Sequence, residues 1–530
     1  MPSFHTNRAI PMARLTVRLG IGGIIFWATS HTSSAIVRLL ASGQIPLDEV
    51  NAGRLDRFGF IDPDNGGKVQ LGIIAPYYRK EWKSGSTFKA DAFVSRSLFD
   101  LYSNFTFFLA DPIYGDEIQQ HDSRLQEGGN IQFVQPYKFA NIQSLLTVGG
   151  GVHLNQINVG LYPTSTRNPN RKFQPENINN SNVLLTQANA KVNNYSGYIQ
   201  NSFGFFDNHL RVDAGLRYDY LSFDVKGFEL GGFPNNTDGR SGFGSSGRCN
   251  SNFINPVNRG NQCALILDGS DSSGRFQPKL SLALSLFDSV PVAFYANYGR
   301  GISSQDARGV VRNPDAPKIS TTDFYQAGTS YNGGRFSMLF SSFLIDRSNV
   351  QVYIPDDGTV EFAGNTRSYG VEFRNSIRFT RFMSFNGGVT KVIRAYYPGE
   401  LTPDNRRIIV DSAPHTVANG SLVFNELSGF NFALNARHIS SYRLDGENLA
   451  IKAAGHDVVD FSMAKRLKKW VDLNFAVDNL LNKKYFETQN FFESRTMPGN
   501  SSPVISRIHA TPGYPFTVSA GVTFRFGAKN

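Results

Sequence analysis

The sequence is most informative at first for what it lacks. No apolar run approaches the roughly 18 residues that a membrane helix needs, so any membrane crossing has to be made by strands. Charged residues make up only 18% of the 530 positions, below the usual quarter. Cysteine is scarce, with two residues, and tryptophan has three. The nine histidines are scattered, and no HExxH, GxSxG or Walker pattern occurs. These absences leave hydrolase, metalloprotease and nucleotidase chemistry without support. No catalytic, cofactor-binding or metal-ligating residue is assigned, no cofactor is expected, and the chain is not read as an enzyme.

What is abundant is aromatic and glycine: 13% of residues are Phe, Trp or Tyr, and Gly numbers 50. The stretch GYPFTVSAGVTFRF, at 513–526, shows their use. Phe516, Val518, Ala520, Val522, Phe524 and Phe526 share one parity; Thr517, Ser519, Gly521, Thr523 and Arg525 share the other. A strand has a side-chain period of two, so this segment has one greasy face and one wet face. Small polar residues on the wet face and aromatics near the ends of the apolar face favour a membrane barrel over a soluble sandwich.

The rest of the chain repeats this at a regular beat. Strands are expected in pairs at 68–80 with 86–105, 123–135 with 142–158, 184–204 with 210–225, and 275–286 with 292–301. Further pairs follow at 321–331 with 335–347, 368–378 with 383–396, 416–425 with 429–442, and 456–466 with 470–480. The strand at 513–526 stands alone. Short links join the members of each pair. Long loops separate the pairs, at 161–183, 227–274, 303–320, 351–367, 398–414, 445–455 and 481–512. Tight periplasmic turns alternating with long extracellular loops are the mark of an outer-membrane barrel. The expected fold is all-β, a transmembrane antiparallel barrel of about 17–18 strands, occupying 35–530. On that reading the net charge of +10 suits a basic barrel beside anionic outer-leaflet lipid, because no basic helix or finger motif points to nucleic acid.

The first 34 residues read two ways. Arg8, Arg14 and Arg18 precede the apolar run LGIGGIIFWA, which is the layout of a signal peptide. The run is also long enough for a barrel strand, and strand parity asks for one before 68–80.

Along the wet faces, Arg211, Asp213, Arg217 and Asp219, and later Asp472 and Asp478, are expected to line the lumen. There they pair with one another or meet what fills it. Cys249 and Cys263 lie in one Gly/Ser/Asn-rich loop. A local disulfide between them is expected in an oxidising compartment; the competing reading is a pair of free thiols. Asp62, Asp64 and Asn65 read as a turn, since their spacing is not that of an EF-hand. Gly149, Gly150 and Gly151 read as a close-packing site in the wall. His153, His415, His438 and His456 read as ordinary lumen or interface residues, with metal ligation the sharper alternative. Tyr162, Arg167, Arg171, Phe173, Tyr353, Phe362 and Arg367 read as solvated loop residues, with substrate capture the sharper alternative.

The C-terminal third carries a family resemblance. Asn479, Leu480, Leu481, Asn482, Lys483, Lys484 and Tyr485 match an Asn-Leu-x-(Asp/Asn)-Lys-x-Tyr motif that follows the penultimate strand of TonB-dependent outer-membrane receptors. Pro512 and Gly513 then precede the last aromatic-rich strand, and Gly370 with Glu372 resembles the family's Gly-x-Glu strand. The resemblance covers about 42–526. It implies a 22-stranded barrel filled by an N-terminal plug, with a TonB box engaging the TonB–ExbB–ExbD complex. It further implies uptake of a small molecule such as a ferric siderophore, cobalamin or an oligosaccharide. No plug or TonB box is read in the roughly 67 residues before the first clear strand, so a truncated form or a displaced start is expected. The alternatives are a plugless passive porin, or an adhesin or enzyme acting through its loops.

Overall fold

The structure is a computed structural model. It describes residues 13–21, 24–35, 44–140, 142–167, 185–230, 249–254, 261–287, 289–312, 315, 317–354 and 359–524. Side chains are described throughout these except at 13–35, 185, 229–230, 249–265, 312, 352–354 and 359–363.

In chain order the strands begin with β1 (Ala13–Ile21), β2 (Ile24–Ala35) and the short β3 (Ile45–Pro46), then helix α1 (Leu47–Asn51). Next come β4 (Gly66–Glu81), β5 (Thr87–Ser103), β6 (Ile118–Phe139), β7 (Ile142–Pro163), β8 (Leu185–Phe205) and β9 (Leu210–Leu230). The hairpin β10 (Cys249–Ile254) and β11 (Asn261–Ile266) leads to β12 (Gly269–Ser285), β13 (Val292–Ser304) and helix α2 (Ala307–Arg312). β14 (Ile319–Asn332), β15 (Phe336–Ile354), β16 (Thr359–Arg378) and β17 (Met383–Leu401) follow, with the short β18 (Arg407–Ile409). The chain continues with β19 (Thr416–Leu427), β20 (Phe430–Ile439), β21 (Tyr442–Arg443), β22 (Lys452–Ala453), β23 (His456–Lys468) and β24 (Val471–Asp478). It ends with β25 (Phe486–Ser494), β26 (Ile505–Pro512) and β27 (Thr517–Phe524).

One sheet holds 22 of these strands. Leaving out the excursions β10, β11 and β18, it is a meander in which each strand pairs antiparallel with the next, from β1–β2 and β2–β4 through to β24–β27. Every strand pair expected from alternation is present. The run read as one candidate strand at 14–28 is laid out as two, β1 and β2, with β2 registered on β4.

The membrane band is marked by exposed rings. At the short-turn ends stand Trp82, Phe206, Phe287, Phe379 and Trp470, all exposed. Farther along the same outer face stand Tyr195, Tyr218, Tyr220, Phe276 and Tyr325, with Ile131, Val148, Val152, Ile199, Leu216 and Phe340 between the two rows. Aromatic girdles flanking an apolar band are what a lipid-facing wall requires. No helix among the described residues is long and apolar enough to cross a membrane.

Several strands run well past the expected ends. β6 and β7 have 22 residues each, about twice the 9–11 that a bilayer needs. Beyond the lipid nothing forces the outward side chains to be apolar, so the pattern weakens on several strands while backbone pairing continues. The stretch expected as a loop at 351–367 is for the same reason a paired ribbon of β15 and β16, reaching Ile354 and Thr359. The long loop at 481–512 is likewise partly ordered, as the hairpin β25–β26.

The hydrophobic core of this barrel sits at the long-loop end, inside the wall. Leu221, Phe223 and Val225 share the parity of Asp219 on β9, opposite the exposed Tyr218 and Tyr220. They pack with Ala188 and Ala190 of β8 and with Ala307 and Val310 of α2, which folds in from the β13–β14 loop.

The glycine triplet lies within β7 as expected. A Cβ on Gly149 would fall on the Tyr198 ring of β8, so the residue leaves room for that ring to lie flat on the wall.

Candidate functional site

Paired residues on adjacent strands share a face, so the register sorts the wall into an inner and an outer side. The inner side is polar. Across β12 to β15, Ser281 donates to Asn297 at 2.6 Å, Asn297 to Gln326 at 3.1 Å, and Gln326 to Ser341 at 3.3 Å.

The sequence-predicted charges fall on this side in local pairs. Arg217 holds Asp219 through two hydrogen bonds of 2.6 and 2.7 Å. Asp219 also accepts from Asn194 at 2.9 Å and from Gln277, and is buried by these neighbours. Arg211 lies 3.1 Å from Asp213, which also accepts from Ser202. Asp472 accepts from Arg466 at 3.2 Å. Asp478 is exposed at the long-loop end of β24. These residues therefore do not converge; they form separate rungs.

A cavity of about 670 Å³ opens on the inner face of β16, β17, β19, β20 and β23, lined by Glu372, Arg374, Asn419, Asn435, Arg437 and Asp460. Arg374 donates to Glu372 at 2.7 Å. Arg437 donates to the Tyr485 hydroxyl at 2.7 Å and to Glu487 at 3.2 Å, while its Nε is buried with no partner among the described residues. Sequence reading picked out Glu372 for its motif but passed over Arg374, Arg437 and Asp460. Their signal was the period-two polar rows through 372–374 and 435–437, which did not stand out from other wet faces.

The C-terminal motif connects this cavity to the mouth. Asn479 is 1% exposed with φ of 51°. It donates through Nδ2 to the carbonyls of Lys483 (2.9 Å) and Tyr514 (2.8 Å), and accepts from the Lys483 amide at 2.8 Å. Its own amide donates to Asp460 at 2.7 Å. Leu480 is exposed. Tyr485 is 3% exposed, with its ring against Gly513 and His456, and the Arg57 guanidinium donates to its carbonyl. Burial, and then the bond to Glu487, push the Tyr485 hydroxyl up to about 12.

Above the cavity the mouth carries an ordered cap. β26 pairs with β25 on one side and with β3 on the other, His509 facing Pro46 and Ala510 facing Ile45. Arg507 reaches Asp48 and Glu49 at 3.1 and 3.2 Å, at the start of α1. The 104–117 loop joins in, Phe108 and Arg495 exchanging backbone bonds with Arg495 and Thr106. His509 is fully buried, stacked 3.8 Å from Phe492, and burial lowers its pKa to about 3. Glu117 is buried too, and desolvation raises its carboxyl above the ordinary range.

The remaining candidates that the structure describes make local contacts. Asp62 accepts from the Asp64 amide and from Asn104, which makes a turn tied to the next loop. Arg167 donates to the carbonyls of Asp64 and Asn65 and lies over Tyr102, rather than reaching into solvent. Tyr162 lies next to last in β7, opposite Gln119 of β6, and Arg367 pairs with Asp346 at 2.6 Å. His153 packs on Phe93, His415 meets the Val392 carbonyl, and His438 lies 2.7 Å from Asp457. Arg171, Phe173 and the side chains of Tyr353 and Phe362 lie outside the described residues. So do the side chains of Cys249 and Cys263, whose backbones fall on the paired strands β10 and β11, and Arg525 and Phe526 of the last strand.

A second, cationic cleft of about 470 Å³ is lined by Arg394, Tyr396, Arg407, His415, Arg443 and Lys452. Tyr396 pairs with Arg367, and Arg367 shares the face of Asp346 and Phe340. This cleft therefore opens away from the lumen.

Comparison with known proteins follows the geometry. The family model for the β-barrel of TonB-dependent-receptor-like proteins matches residues 28–480. No curated protein matches the sequence. Among solved structures, the ferric yersiniabactin uptake receptor of Yersinia pestis superposes with a TM-score of 0.67 at 13% identity, over 95% of this chain and 68% of that one. A ferric citrate transporter gives 0.66 at 15% identity, over 94% and 67%. A copper transporter gives 0.62 at 14%, over 94% and 70%.

Proposed function

Because the chain belongs to the TonB-dependent receptor family and is a barrel of the bacterial outer membrane, we propose that it serves energy-dependent uptake of a scarce nutrient. The cargo class is that of a ferric siderophore, cobalamin or an oligosaccharide. The observation that carries the reading is the inner-face cavity under the cap, with Glu372, Arg374, Arg437 and Asp460 turned into the lumen. A wall of charged and amide groups, with the buried Arg437 Nε still unpaired, suits a polar body filling the lumen, as the plug does in this family. Salt bridges and amide bonds across such a contact can exchange with water when the TonB–ExbB–ExbD complex pulls, because each is worth only about 1 kcal/mol. The rungs Arg211–Asp213 and Arg217–Asp219, together with Asp472 and Asp478, belong to the same surface.

Radiolabelled iron uptake tests this, with a ferric siderophore supplied to cells whose own receptors are deleted, with and without TonB. Expected is uptake that disappears when TonB is lost, and a several-fold drop for the Arg374→Ala/Arg437→Ala variant at unchanged barrel heat-modifiability. Uptake indifferent to TonB, together with steady conductance in a planar bilayer, would make the chain a passive pore.

A further inference from the structure

The outer wall of β5 to β9 changes character above the upper ring of tyrosines. Around that ring most outward side chains are apolar, Val94, Ile131, Val152, Tyr195 and Tyr220 all being exposed, with Glu127 opposite Val94 on the same face. Farther toward the long loops, the same parity carries Arg96, Ser123, Gln156, Asn158, Asn189, Lys191, Asp224 and Lys226. The register places Arg96, Leu125, Gln156, Lys191 and Asp224 in one cross-strand row, and Asn158, Asn189 and Lys226 in the next. Together they line a single outward groove of about 390 Å³.

Its height is set by the strands. Lys191 stands four residues above Tyr195 on β8, and Lys226 six above Tyr220 on β9. Four residues rise ~13 Å along a strand, or ~10 Å along the membrane normal at a ~40° tilt. That is the depth of lipid headgroups above the interfacial ring. The groove lining holds three cations, Arg96, Lys191 and Lys226, and one carboxylate, Asp224, with Glu127 one row below on the same face. Arg96 donates to Ser123 at 2.7 Å, and no carboxylate pairs with Lys191 or Lys226 among the described residues. Lys191 and Lys226 sit diagonally on neighbouring strands, within reach of one anion.

We infer that this groove binds the phosphorylated headgroup of an outer-leaflet lipid, gripped from outside the barrel. The lysines and Arg96 meet the phosphate, and Gln156, Asn158 and Asn189 offer amides to the sugar or glycerol hydroxyls around it. The acyl chains lie down the apolar face over Val152 and Tyr195. The site rests on the outer-membrane placement of the barrel and not on what the barrel transports, so a failed uptake experiment leaves it standing.

The test uses the full chain purified in detergent. Bis-phosphorylated lipid A is titrated against it, with dephosphorylated lipid A and inorganic phosphate as comparisons. Binding is followed by native mass spectrometry and located by hydrogen exchange. Expected is amide protection at 154–158, 189–193 and 222–226 with the phosphorylated lipid, and none with the other two ligands. The R96Q/K191Q/K226Q variant should raise the apparent Kd at least tenfold while keeping its heat-modifiable migration. Lys83→Gln, in a short turn at the far end of the wall, should change nothing. Three results would overturn the inference. One is equal binding by the triple variant. Another is protection by inorganic phosphate alone at the same concentration, which would make this a free-phosphate site. The last is loss of binding only in an R394Q/R443Q/K452Q variant, which would move the lipid to the other outward cleft.

Discussion

At the residue scale, the cap turns on a neutral histidine. His509 has its pKa lowered to about 3 because it is buried, and the neighbouring Arg507 adds to the effect. Its folded pKa lies below its ordinary value near 6.5. Its contribution to cap stability is therefore complete above pH 6.5 and is lost as pH falls toward 3, by at most ~1.4 kcal/mol per unit. Glu117 runs the other way. Its raised carboxyl favours the cap below the ordinary carboxylate range and loses that as pH rises. Comparing His509→Phe with the parent cancels the Glu117 contribution. Hydrogen exchange of residues 486–512 should show the parent opening more at pH 5 than at pH 7.5, and the variant changing much less. At pH 7.5 the variant should cost only ~1 kcal/mol, for the lost 2.9 Å contact with Ser494. Asn479→Ala is the harsher change. It removes three bonds of 2.8–2.9 Å from a buried position at positive φ, and should cost ~2–4 kcal/mol in urea unfolding. The motif around Asn479 was legible in the sequence through its resemblance to the family's Asn-Leu-x-(Asp/Asn)-Lys-x-Tyr run; the bonds it makes were not. Arg374, Arg437 and Asp460 were not, because alternation assigns a face and not a neighbour several strands away.

Elements tell a similar story with different physics. The wall strands were readable where lipid imposes alternation, and several, β6 and β7 among them, ran on above it without a readable pattern. The inward fold of α2 had no sequence signal at all, since a helix of 6 residues is too short for a helical period to show. Its anchor is Phe223, 1% exposed. Phe223→Ala should cost ~3–5 kcal/mol locally, seen as faster exchange through 305–312 while the amides of β6 and β7 stay protected. The glycine triplet, in contrast, was read correctly as close packing. Gly149→Ala would push the Tyr198 ring off the wall and should destabilise by ~1–3 kcal/mol. Adding Tyr198→Ala should recover part of that loss, an outcome a purely conformational role for the glycine would not produce.

Over the whole molecule, barrel class, strand order and loop parity followed from a period of two repeated along the chain, because a lipid-facing wall leaves no other pattern open. What remained hidden was long-range: the cap joins segments that no local rule connects. Arg507 and Glu49 meet across 458 positions, and β3 finds its place only beside β26. That arrangement also orders events in time. Hairpins of the wall can assemble as the chain is delivered, each on the one before. The cap cannot, because its parts lie as far apart in the chain as Glu49 and Arg507, so Ile45 stays unpaired until β26 has been delivered. An ordered cap is thus the mark of a finished wall, legible from outside the cell.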